Sequence, residues 1–217
     1  MINMVKGIIF DMDGVISDTQ KLHSKVECEL LRRYDVNITP EDITKKYSGV
    51  RTKEFFITLL NQQNKQYNID DLMNEKWARM EKLAAESVDA IPGSIDLIKM
   101  FYEMKLPLAV DSASNFNYVR SVLSTLGVTN YFTAIVSGDM VSKGKPDPES
   151  FLLAATKINI QPEKCLVIEA GTSGMAAAKA GKMRCIGLVG NKGKEYPTQN
   201  LILSLSEITP GYLNQIQ

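Results

Sequence analysis

The chain has 217 residues, 44% of them hydrophobic, enough for a sizeable core in one domain or in one domain carrying an insertion. Lys plus Arg total 25 against 25 for Asp plus Glu, so no net field directs the protein to nucleic acid or an anionic membrane, and no apolar stretch approaches the roughly 20 residues of a membrane span. Cys28, Cys165 and Cys185 lack metal-ligand spacing, and the N-terminus reaches a buried strand without a signal sequence's charged and apolar regions in order, so reduced thiols and a cytoplasmic location are expected.

The first predicted element is an apolar run from Val5 to Phe10 with the length of a strand buried on both faces. It stops at Asp11, Asp13 follows two residues later, and Gly14 stands where the chain must turn tightly. Open α/β sheets place ligands beyond the carboxyl ends of their strands. Two acids this close repel, so a cation is implied, and an all-oxygen donor set suits Mg²⁺ sharing ligands with a phosphate. Taken alone, the same D-x-D-G could simply cap a turn.

From Thr19 to Val88 helical periodicity replaces strands. Leu22, Val26 and Leu30 make one stripe; Thr39 and Pro40 fit the N-cap and first position of a second helix; Phe55, Phe56, Leu59 and Leu60 give a third; Leu72, Trp77, Met80 and Leu83 a fourth. About four helices can bury these stripes against one another. The turn Tyr47-Ser48-Gly49-Val50-Arg51-Thr52-Lys53 carries two cations between helical segments, either binding groups or ordinary solvated charge. Residues 15–20 and 87–93, the latter containing Ile91-Pro92-Gly93, read as the two linkers of a hinge.

After Gly93 a helix capped by Gly93 or Ser94 runs to about Lys105, and Pro107–Val110 reads as a strand. Asp111-Ser112-Ala113-Ser114-Asn115 then offers a hydroxyl and backbone N–H groups to an anion, or simply an N-cap at Ser114 or Asn115, before a helix with Tyr118, Val122 and Leu126 on one face. Ala134–Ser137 is a third strand. Pro146 and Pro148 hold Lys143 and Lys145 on a rigid loop until a helix starts near Glu149. Cys165–Ile168 is a fourth strand, ending in Glu169-Ala170-Gly171 before a small-residue helix from Met175 to Ala180. Arg184–Val189 and Leu201–Leu203 complete the strands, and Ser206-Glu207 caps a final turn.

Asp11-Met12-Asp13-Gly14-Val15 with Asp18-Thr19 and His23, then Ser112, then Gly144-Lys145-Pro146-Asp147-Pro148, then Glu169 to Gly174, resemble the four motifs of the haloacid dehalogenase superfamily in its β-phosphoglucomutase-like branch. The resemblance implies a doubly wound parallel α/β core (1–18 and 89–217) with an inserted α-helical cap (19–88). It implies Asp11 as the nucleophile that becomes an aspartyl phosphate, Asp13 as general acid/base, Ser112 with the Ala113 amide as phosphoryl binder, and Lys145 as the neutralising cation. Asp11, Asp13 through its backbone carbonyl, and Glu169 are the implied Mg²⁺ ligands, and Gly14, Thr19, His23, Gly49, Arg51 and Lys53 the implied substrate contacts. His23 is equally compatible with an ordinary helix surface.

Two positions depart from the pattern: Ala170 replaces the second acid of the usual pair, and Asp111 stands where a small neutral residue is usual. The expected protein is a monomeric or weakly dimeric Mg²⁺-dependent phosphatase of a small phosphorylated metabolite, a sugar phosphate being favoured. β-Phosphoglucomutase is the alternative. A second alternative is a catalytically impaired binding protein, with Ala170 and Asp111 as the traces, and a third is that Ala170 was introduced to trap a bound state.

Overall fold

The computed structural model describes residues 5–47, 52–214 and 216. The chain opens with strand β1 (Gly7–Asp11), followed by helices α1 (Gln20–Arg32), α2 (Pro40–Tyr47), α3 (Thr52–Gln62) and α4 (Ile69–Glu86). It continues through α5 (Ser94–Glu103), β2 (Leu108–Asp111), α6 (Phe116–Thr125), β3 (Ala134–Val136) and α7 (Glu149–Lys157). It ends with β4 (Cys165–Glu169), α8 (Thr172–Ala180), β5 (Arg184–Leu188) and β6 (Asn200–Ile202). Short 3-10 turns fill several of the connections.

The six strands form one parallel sheet in the order β3-β2-β1-β4-β5-β6. Side chains alternate along β1, so Ile8 and Phe10 enter one core layer with Leu108, Val110, Leu166 and Ile168, while Ile9 enters the other with Ala109, Val167 and Phe151. Helices cover both faces, as an all-parallel sheet requires. The strand order reverses between β1 and β4, and a crevice opens beyond the carboxyl ends of strands at such a reversal. Asp11, Asp111 and Glu169 are the last residues of β1, β2 and β4, and Asp11 pairs in register with Asp111.

The loop after β1 folds on itself. Gly14, at φ 90°, donates its N–H to the Ser17 carbonyl at 2.8 Å, and the Ile16 and Ser17 amides close on the Met12 carbonyl. The two linkers then run side by side: Ser17 bridges Ala90, the Asp18 amide donates to the Asp89 carbonyl, and that of Ile91 to the Ile16 carbonyl. Helix α4 lies on α6, where Thr125 Oγ1 donates to the Ala84 carbonyl at 2.7 Å.

Several boundaries shift from the sequence expectation. Strand β2 runs one residue further, placing Asp111 inside the sheet with no exposed surface, because its carboxylate finds a buried cation there. Of the two expected caps of α6, Asn115 serves, accepting from the Tyr118 amide. Helix α8 starts at Thr172, three residues early, while α5 stops at Glu103 before Lys105 at φ 58°. The final turn is capped by Ser204 with Glu207 completing a capping box, not by Ser206.

Candidate active site

The floor of the crevice is built around the Lys145 ammonium. It donates to Asp11 Oδ1 at 2.8 Å and to Glu169 Oε1 at 3.2 Å, and Asp111 Oδ2 lies 3.0 Å away, off the line of a hydrogen bond, so that third contact is Coulombic. The ring of Phe151, from α7, lies 4.6 Å below the same nitrogen. Burial alone would weaken the ammonium, but Asp11, Asp111 and Glu169 outweigh it and hold the Lys145 pKa well above the ordinary value. Three carboxylates face one cation, leaving an excess of negative charge. Burial and the nearby Glu169 charge accordingly push the Asp11 carboxyl well up, against the pull of Lys145.

Glu169 is fixed by the start of α8. Its Oε2 accepts from the amides of Ala170 at 2.6 Å and Gly171 at 3.0 Å. A Cβ at Gly174 would lie 1.5 Å from Glu169 Oε1, so this carboxylate position requires glycine one helical turn on.

Asp13 sits at the rim, its side chain 22% exposed. Its Oδ1 accepts a short hydrogen bond from Thr19 Oγ1 and lies 3.3 Å from His23 Nε2; its Oδ2 accepts from Ser112 Oγ at 3.2 Å and Ser114 Oγ at 3.3 Å. Burial raises the Asp13 carboxyl, but the His23 charge and these hydrogen bonds prevail and hold its pKa at about 2. The His23 ring is gripped edge-on by Trp77 of α4 and Tyr118 of α6.

A cavity of about 770 Å³ spans this floor and the helices above it. Asp13, Ser112, Ala113 and Lys145 line one side, and Gln20, Glu27, Thr52, Lys76 and Trp77 the other. Asp11, Asp13, Thr19, His23, Ser112, Lys145 and Glu169 therefore converge at one end of the sheet, with Ala113 beside them and Gly14 in the turn. Lys53 borders the cavity, but its ammonium pairs at 3.0 Å with Asp70 on the exposed surface. Gly49 and Arg51 lie outside the described residues.

The helical wall holds a buried group that the sequence reading does not single out. Lys76, with no exposed surface, donates to Glu27 Oε1 at 2.8 Å and to Thr52 Oγ1 at 2.6 Å, while Thr52 donates to the same Glu27 oxygen at 3.1 Å. The signal is present in the chain: Leu72, Lys76, Met80 and Ala84 are the four buried residues of α4, at i, i+4, i+8 and i+12, so the lysine stands on the apolar stripe. Ser114, which reads in the sequence only as a cap, and Asp111, which reads only as an oddity, both belong to the site.

The donor chemistry of the floor fits Mg²⁺. Among the described residues no three or more His, Cys, Asp and Glu side chains make a metal cluster, and Ala170 brings a methyl group. The carboxylates of Asp11 and Glu169 remain as oxygen donors at the floor, both facing Lys145, while the Asp13 side chain is engaged by four partners. Mg²⁺ is commonly held by one or two carboxylates together with waters and phosphate oxygens, and a cation here would offset the burial and the Glu169 charge that raise Asp11.

The family model described as haloacid dehalogenase-like hydrolase matches residues 8–188. Fructose-1-phosphate phosphatase YqaB of Escherichia coli (strain K12) is 31% identical over 180 residues, covering 83% of this chain and 94% of that protein. β-Phosphoglucomutase of Bacillus subtilis (strain 168) is 28% identical over 191 residues, covering 85% and 83%. Among solved structures, CbbY from Rhodobacter sphaeroides in complex with xylulose-1,5-bisphosphate superposes with a TM-score of 0.83 at 27% identity, covering 94% of this chain and 96% of that one. Fold, motif residues and relatives agree: the chain belongs to the haloacid dehalogenase-like hydrolases, in the β-phosphoglucomutase-like branch of phosphatases and phosphomutases.

Proposed function

We propose that this enzyme is a Mg²⁺-dependent phosphatase that hydrolyses a small phosphorylated metabolite, a sugar phosphate, through an aspartyl phosphate on Asp11. The observation that carries the reading is the pair of differently tuned carboxylates at the end of β1. Asp11 is held by an ammonium within a buried acidic cluster, and Asp13 is held ionised by three hydroxyl donors and the nearby His23 ring at the cavity. Asp11 attacks phosphorus in line. Lys145 and the Ser112 hydroxyl, with the Ala113 amide, hold the equatorial oxygens as charge develops. Asp13 protonates the leaving oxygen and then takes a proton from the attacking water. Its resting pKa of about 2 favours the second role, and a phosphate dianion beside it pushes the carboxyl upward for the first. His23 and Thr19 fix which Asp13 oxygen faces the ester. When Mg²⁺ is bound, Asp11, the Asp13 carbonyl and Glu169 would hold it, and it would neutralise charge on the phosphoryl oxygens.

Helices α1 to α4, within residues 19–88, act in this proposal as a cap on the core of residues 1–18 and 89–217, the paired linkers serving as hinge. Closure of the cap excludes bulk water. The names of the relatives support a sugar phosphate as substrate, and three buried free thiols support a reducing, cytoplasmic setting. Among the described residues no helix is long and apolar enough to cross a membrane. We propose a monomer or weak homodimer.

The test is phosphate release from a panel of sugar phosphates across a Mg²⁺ titration, with β-glucose 1-phosphate also followed for conversion to glucose 6-phosphate. Metal-dependent release is expected. Isomer formation without release would instead make the enzyme a phosphomutase, the reading favoured by the mutase relative. Silence that Ala170→Asp does not lift would favour a binding protein.

A further inference from the structure

We propose that Glu27 is a specificity residue that sequesters Lys76 and so restricts the enzyme to phosphomonoesters whose far end is uncharged and hydroxylated, excluding sugar bisphosphates. This rests on the phosphatase reading above. A substrate with its phosphate on the floor extends across the cavity toward the wall formed by Gln20, Ser24, Glu27, Thr52, Asn74 and Trp77. Among the described residues the cations bordering that wall are Lys76 and Lys53, and Lys76 is not offered: its ammonium has no exposed surface, two of its three protons go to Glu27 and Thr52, and its remaining side packs over the Trp77 ring at 4.5 Å. Burial lowers its pKa even with Glu27 beside it. Lys53 is paired with Asp70 at 3.0 Å on the exposed surface.

A second phosphate reaching this wall would therefore meet the Glu27 carboxylate before any unpaired ammonium among the described residues. Like charges placed together reject a ligand more effectively than a missing contact does. A sugar or polyol hydroxyl meets no such penalty, because carboxamides, hydroxyls and a carboxylate edge supply both donors and acceptors. The arrangement works through exclusion. It also gives a reason for an enzyme to keep a buried ion pair beside its cavity, where an apolar pair would pack as well.

The test compares hexitol 6-phosphate, hexose 1,6-bisphosphate and p-nitrophenyl phosphate as substrates of the parent enzyme, of Glu27→Gln, and of Glu27→Gln combined with Lys76→Met. The parent should prefer the monophosphate by roughly ten-fold or more in kcat/KM. Glu27→Gln should lower KM for the bisphosphate by a similar factor relative to its effect on p-nitrophenyl phosphate. The double variant, which loses the repelling carboxylate but offers no cation, should gain with the bisphosphate less than Glu27→Gln does and more than the parent. A parent that takes the bisphosphate equally well would overturn the inference and leave the phosphatase reading intact, as would a Glu27→Gln effect common to all three substrates. No release from any of the three at any Mg²⁺ concentration would sink the phosphatase reading and this inference with it. If Glu27→Gln does not fold, the parent's substrate ratio and the double variant still decide.

Discussion

Two lysines face each other across the cavity, and their surroundings differ in kind. Lys145, on the floor, has carboxylates from the ends of β1, β2 and β4 around it and is driven towards permanent charge. Lys76, in the helical wall, has one carboxylate and a threonine, and burial pulls its pKa down. The floor carries an excess of negative charge, which the proposed Mg²⁺ would offset. The wall is a closed neutral pair. In the proposed function the floor serves phosphoryl transfer and the wall meets what carries the phosphate.

The sharpest way to break the floor is Asp11→Asn, which should reduce turnover by at least about 10⁴-fold while leaving the thermal midpoint equal or higher, because it removes the carboxyl that Glu169 and burial already strain. Phosphate release and a melting curve on the same preparation check both halves. Lys145→Met should cost about 10²- to 10³-fold in kcat, and should also destabilise by about 3–5 kcal/mol because three carboxylates lose their counter-charge. Adding Asp111→Asn should recover part of that stability and none of the activity, as measured by urea unfolding.

On the wall, Lys76→Met should destabilise by about 3 kcal/mol by stranding Glu27, and pairing it with Glu27→Gln should restore most of the loss. Asp13 gives a smaller, pH-dependent effect. Its folded pKa of about 2 lies below the unfolded value, so it contributes on the order of 2 kcal/mol that is complete above about pH 4 and lost as pH falls towards 2. Urea unfolding across that range should show the loss in the parent and a flatter profile in Asp13→Asn. The smallest effect expected is from Ala170→Asp, which should tighten Mg²⁺ by about ten-fold by adding a carboxylate donor, as read by calorimetry without substrate. Unchanged affinity there would mean that Asp11 and Glu169 suffice.

How far the sequence speaks follows the same division. Strand β1 and its acids are legible because an apolar run ending in two carboxylates and a glycine matches a buried strand that delivers its charges to a sheet's end, and the floor residues each sit at the end of a recognisable strand or on a proline-fixed loop. The buried stripe of α3, Phe55, Phe56, Leu59 and Leu60, is legible from periodicity alone. What escapes are polar residues in apolar company. Lys76 is passed over because neighbouring apolar residues already make a stripe, and Glu27 because its neighbours Val26 and Cys28 carry the helix. Their meaning is a contact between residues 49 positions apart, which no local pattern encodes. Asp111 is visible as a departure, but only its register against Asp11 and its approach to Lys145 show why a carboxylate can be buried there.

The most direct test of the phosphoryl-transfer account is rapid-quench mass spectrometry of the enzyme during turnover of a sugar phosphate. The account predicts a transient single phosphoryl adduct on the peptide carrying Asp11, formed before phosphate appears and absent from Asp11→Asn. Turnover by Asp11→Asn at the parent rate, or a parent enzyme that releases phosphate without ever carrying it on Asp11, would contradict it.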